Sequence, residues 1–144
     1  MDKTILAPAA VLVLWSLIML MWMAATRFPA MAKSGVNLKT ALPGARGQDM
    51  EAAVAPSVNW KSHNYTHLME QPTLFYAVVG ILMMAGASGG LNTQLAWAYV
   101  VLRIVHSLWQ ALVNTLAVRF SLFLVSTVCL FALAVNAVRI TLGA

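Results

Sequence analysis

The sequence predicts an all-α integral membrane protein, a four-helix bundle in a single domain, and three observations carry that prediction. Of its 144 residues, 61% are hydrophobic and 9% charged, where a soluble domain carries roughly 25% charged residues. Four apolar segments have the length of about 20 residues that a helix needs to cross the hydrocarbon core. The glycine-rich stretch "GASGGLNTQ" between the second and third segments is too short for anything but a helical hairpin.

The elements follow in order. The first span, "ILAPAAVLVLWSLIMLMWMAA", runs from Ile5 to Ala25. Ala30 to Ala32, "AMA", resembles a signal-cleavage site, but the apolar core is too long and the basic flank is the single Lys3, so the segment reads as a transmembrane helix. A loop over about residues 26–62 follows, rich in Gly, Pro and Asn, with one short amphipathic stretch around "QDMEAAVA". Apolar periodicity and length place the second helix at about 63–87, lipid-like from Leu68 onward, the third at about 91–113 and the fourth at about 118–142. Arg139, near the end of the last helix, can snorkel to the interface.

The charge pattern orients the bundle. The formal net charge is +5, but Arg27, Lys33, Lys39, Arg46 and Lys61 all fall in the first loop. That is the signature of a cytoplasmic loop rather than of a nucleic-acid surface. Both termini and the glycine turn then lie on the opposite, non-cytoplasmic side, while the connection holding Arg119 is cytoplasmic. The lone Cys129 excludes an intramolecular disulfide and a cysteine-rich metal site, and reads as a small core hydrophobe. Gly80 and the run from Gly86 to Gly90 offer places for close helix approach.

Two polar stripes break the apolar background. His63, His67 and Glu70 stand at i, i+4 and i+7 on the second helix; Arg103, His106, Ser107, Gln110 and Asn114 line one face of the third. Polar side chains so aligned inside a membrane must face protein, water or a polar ligand. Arg103 needs a carboxylate, and Glu70 is the acid nearest a membrane segment, so the two are expected to pair, either as a structural pin or as part of a site. The histidines do not follow the HExxH order of zinc peptidases and supply too few ligands for a two-metal centre, so no metal is expected. Arg27 and Arg119 place cations at the cytoplasmic edges, either as topology signals or around an anionic ligand.

The stretches "HLMEQPTLFYA", "AYVVLRIVHSL" and "VRFSLF" resemble the MAPEG family, the membrane-associated proteins of eicosanoid and glutathione metabolism, in their bacterial branch. The resemblance runs through all four spans and is most specific in "ExPxLFY" and "RxxHS". It implies a multi-pass protein of a bacterial inner membrane, assembled as a homotrimer with glutathione held between subunits near the cytoplasmic side. It further implies that Glu70 and Arg103 contact glutathione, that His106 and Ser107 match the His-Thr pair of prostaglandin-forming members, that Arg119 stabilises the thiolate, and that Arg27 matches the arginine ending the first helix. His63 and His67 stand where enzymatic members tend to have arginine and asparagine, and Gln110 where they have tyrosine. An arginine replaced by histidine loses a permanent charge and a bidentate fork.

Two functions therefore stand side by side. One is a glutathione-dependent transferase or peroxidase that meets a lipophilic small molecule in the bilayer, with Arg119 catalytic and Arg27, His63, His67, Glu70, Arg103, His106, Ser107 and Gln110 binding the tripeptide. The other is a non-catalytic protein of the same fold that binds a membrane lipid or serves as a subunit of a larger complex.

Overall fold

The structure, a computed structural model, describes residues 2–143. It is built from five α-helices, α1 (Leu6–Lys33), α2 (Pro56–Leu68), α3 (Pro72–Met84), α4 (Leu91–Leu112) and α5 (Leu116–Thr141), with two 3-10 segments, Leu38–Thr40 and Gly47–Ala53, in the first loop. There is no strand among the described residues. Among the described residues, three helices, α1, α4 and α5, are long and apolar enough to cross a membrane. Their outward faces carry large apolar side chains such as Leu14, Met21 and Phe131, exposed on this chain and suited to lipid.

The helix expected over 63–87 is two helices. Pro72 opens α3, and a proline there has no N–H to continue the α2 ladder, while its ring clashes with the carbonyl four residues earlier. The chain therefore turns through Met69–Gln71, with the Met69 and Glu70 amides bonded to the carbonyls of Thr66 and His67. α2 also begins earlier than expected, at Pro56, so its first turns belong to the loop side of the bundle.

Two helix ends stop by the same device. After α1, Gly35 takes φ +77°, the Val36 amide bonds Met31 O at 3.1 Å and the Gly35 amide bonds Ala32 O at 3.3 Å. After α3, Gly86 takes φ +73°, with Ala87 bonded to Leu82 O and Gly86 to Met83 O. Each pair of bonds satisfies carbonyls that the helix leaves open, and the left-handed residue costs glycine little.

The core lies among α1, α3, α4 and α5, around Leu12, Phe75, Leu82, Tyr99 and Leu133. Phe75 stacks on Tyr99 with ring centroids 4.5 Å apart. At the end away from the long loop, Asn136 donates to Asn92 Oδ1 at 2.9 Å and Asn92 donates to the Ala87 carbonyl at 3.0 Å, tying α5 to the hairpin between α3 and α4. Thr4 donates to the Ser88 carbonyl at the same end, and the Thr4 amide bonded to Asp2 holds that carboxyl below its usual range.

Candidate functional site

The polar stripe of α4 is buried almost whole: Arg103, His106, Ser107 and Gln110 all face into the bundle. Arg103 is 1% exposed. Its Nε donates to Tyr99 Oη at 3.1 Å, its Nη2 to Gln71 Oε1 at 2.5 Å, and its Nη1 meets His67 Nε2 at 3.1 Å. The rings of Tyr99 and Phe123 lie 5.3 and 5.2 Å from the guanidinium carbon.

These contacts correct the expected Glu70–Arg103 pair. Glu70 Oε2 instead meets His67 Nδ1 at 3.0 Å, so the imidazole stands between carboxylate and guanidinium. An arginine has only donors, and His67 Nε2 must therefore accept; the ring proton sits on Nδ1 and is donated to Glu70. The side chain that takes arginine's second nitrogen is Gln71, freed to turn inward by the break before Pro72. Glu70 itself stays 62% exposed.

Two cavities flank this relay. One, of about 210 Å3, has polar walls of His67, His106, Gln110 and Arg119 and apolar walls of Leu116, Phe120 and Phe123. The second, of about 470 Å3, is framed by Glu51, His63, Glu70 and again His67 and Gln110. His67 and Gln110 form their common wall. Gln110 is 6% exposed and its Oε1 has no hydrogen-bond partner among the described residues, so this wall presents a buried acceptor to the cavities.

Arg119 reaches the smaller cavity from the first turn of α5. Asn114 sits in the left-handed region with φ 59° at the corner between α4 and α5, and its Oδ1 takes Arg119 Nη1 at 2.5 Å. His106 lies against His67, ring centroids 4.8 Å apart. Of the remaining expected site residues, His63 stays in the wall of the larger cavity, while Ser107 and Arg27 face elsewhere. Ser107 accepts from Trp15 Nε1 at 3.0 Å and joins α4 to α1. Arg27 donates to Ser62 Oγ at 2.6 Å and to the Gly47 carbonyl, holding the long loop against α2. His63 pairs with Glu51 at 3.0 Å. Among the described residues, no three metal-capable side chains converge on one point.

Three residues of this region, Gln71, Tyr99 and Glu51, escape a reading of the sequence by spans, and a fourth, Asn114, is legible there only in part. Gln71 had a signal, since it follows His67 by one helical turn. Tyr99 precedes Arg103 by the same interval. Asn114 was visible as the last member of the α4 stripe, but not as Arg119's partner. Glu51 had none, because only the folded loop carries it to α2.

A family model, the MAPEG family, matches residues 5–139. The chain belongs to the MAPEG family. No curated protein and no solved structure matches it. As a MAPEG protein it is an integral membrane helical bundle, and the long loop brings Glu51 into the same cavity wall as the motif residue Glu70. That loop meets α2 through the Glu51–His63 and Asn59–Glu51 contacts.

Proposed function

We propose that this MAPEG protein is a glutathione-dependent transferase or peroxidase acting on lipophilic electrophiles, assembled as a homotrimer. α2 and α3 together make the fourth crossing, the long loop is cytoplasmic, and both termini face the other side of a bacterial inner membrane, as the cations of that loop support. One observation carries the chemistry: the Arg119 guanidinium, held by Asn114, shares a cavity wall with the polar groups of His67, His106 and Gln110 and with the apolar Leu116, Phe120 and Phe123.

The donor set fits the tripeptide at two ends. Glutathione supplies a thiol when bound, and a free thiol of pKa about 8.5 is a weak nucleophile near neutral pH. Arg119 favours the thiolate by charge and marks where the sulfur lies. Glu51 and Glu70 offer carboxylates for an ammonium group, and Gln110 Oε1 an acceptor for a peptide N–H. Leu116 and Phe120, 68% and 58% exposed, open the apolar wall outward and give a lipophilic partner a route from the bilayer. Within one protomer the wall holds a single guanidinium, so the tripeptide's carboxylates fall to groups of a neighbouring copy.

A second reading, a non-catalytic scaffold that binds a lipid or joins a larger complex, draws support from His67. Its insertion between Glu70 and Arg103 ties both groups up within the chain. Calorimetry with glutathione, with ultraviolet absorbance of the bound thiolate, separates the two. The enzyme reading expects saturable binding and a thiolate band that Arg119→Ala abolishes; no binding at millimolar glutathione would leave the scaffold reading.

A further inference from the structure

We infer that the corner between α1 and the first 3-10 segment is a binding site for an acidic phospholipid of the surrounding leaflet. Gly35 reverses the chain, and Leu38–Thr40 then folds back beside the last turns of α1. The result is a groove of about 570 Å3, with Met31 in its floor, Phe28 and Leu38 in its sides and Lys39 among its lining residues. Phe28, Leu38 and nearby Leu42 are 58%, 57% and 80% exposed and are not packed into the buried core.

Depth and charge both name the occupant. Counting about 20 residues of hydrocarbon from Leu6 puts the boundary near Ala25, and Phe28 lies about 5 Å beyond it at 1.5 Å per residue. That is the headgroup layer, about 5 to 7 Å deep in each leaflet. Between Arg27 and Gln48 the chain carries Arg27, Lys33, Lys39 and Arg46 and no acidic residue. Arg27 is committed to Ser62 and Gly47, and Arg46 lies 3.9 Å from Asp49. Lys33 and Lys39 form no ion pair among the described residues. A phosphate beside Lys39, with Lys33 adding to the local potential, and an acyl chain against Phe28 and Leu38 satisfy both halves of the groove. The site stands at some distance in sequence from the cavity residues, and it does not depend on glutathione.

The test titrates purified full-length protein in detergent with dioleoylphosphatidylglycerol and, in parallel, dioleoylphosphatidylcholine, counting retained lipid by native mass spectrometry. Wild-type protein retains the anionic lipid in preference. Lys33→Gln with Lys39→Gln weakens its apparent affinity about thirtyfold, two cations at about 1 kcal/mol each, and Leu38→Ser weakens both lipids. Lys3→Gln, at the other end of α1, leaves both unchanged. Equal retention of the two lipids by wild type, or wild-type retention by the double variant, overturns the inference. So does a double variant whose oligomer falls apart as lipid is lost, because the groove would then belong to an interface between copies.

Discussion

Arg103 is a buried guanidinium whose direct partners are all neutral, and the imidazole of His67 carries its link to Glu70. Removing His67 leaves one arm of a buried cation unpaired, which costs about 1 to 3 kcal/mol. Double-mutant cycles on thermal unfolding in detergent are therefore expected to give a coupling of at least about 0.5 kcal/mol for His67→Ala with Arg103→Met. Glu70→Gln with Arg103→Met should be nearly additive; a larger coupling there would mean that the carboxylate reaches Arg103 directly. Asn114 acts on the second arginine. Asn114→Gly keeps a backbone that tolerates φ 59° while deleting the Oδ1 that holds Arg119. With glutathione bound, the thiolate band should titrate at higher pH in Asn114→Gly than in wild type, with thermal stability little changed. An unmoved titration would show that Asn114 does not position Arg119.

At the scale of elements, the second span shows why apolar length alone misplaces boundaries. The segment from Leu68 to Ala87 is long and apolar enough on average to read as one span, but Pro72 removes an amide and breaks the ladder. Gly86 and Gly80 make a matched pair of probes. A Cβ at either would meet nothing within 4 Å, but Gly86 alone sits at positive φ. Gly86→Ala is thus expected to cost about 1 to 2 kcal/mol through backbone strain alone. Gly80→Ala in mid-helix should gain up to about 1 kcal/mol. Chemical or thermal unfolding of the two variants checks the pair, and equal effects would count against the left-handed cap after α3. Among the described residues, nothing comes within 4 Å of a Cβ built at Gly80, so the close helix approach expected there is not made by them. A Gly80→Ala variant that loses stability only in the assembled state would assign that approach to another copy.

For the whole molecule, the proposed trimer has a footprint that can be measured. Glu70 is 62% exposed on a single chain and frames the larger cavity. If a neighbouring copy closes that cavity, carbodiimide labelling of Glu70 should be suppressed in the native oligomer and recover when detergent separates the subunits. Asp2, exposed at the opposite end, should label alike in both states. Equal labelling of Glu70 in the two states would place the cavity away from any interface.

Composition alone determined the membrane class, because a chain with 9% charged residues cannot cover a water-facing surface. Helical periodicity likewise determined the α4 stripe: a residue's face depends on its own spacing, and the structure buries Arg103, His106, Ser107 and Gln110 together. Partners across helices were beyond such reading. Spacing says which groups share a face, but which atom meets which depends on helix rotation and on breaks such as that before Pro72. Only the tertiary structure decided that Arg103 is held by Gln71, His67 and Tyr99 rather than by Glu70, that Ser107 meets Trp15, and that a long loop brings Glu51 to His63. Hydrogen bonds act over about 3 Å, and no one-dimensional pattern sets a distance between two helices to that tolerance.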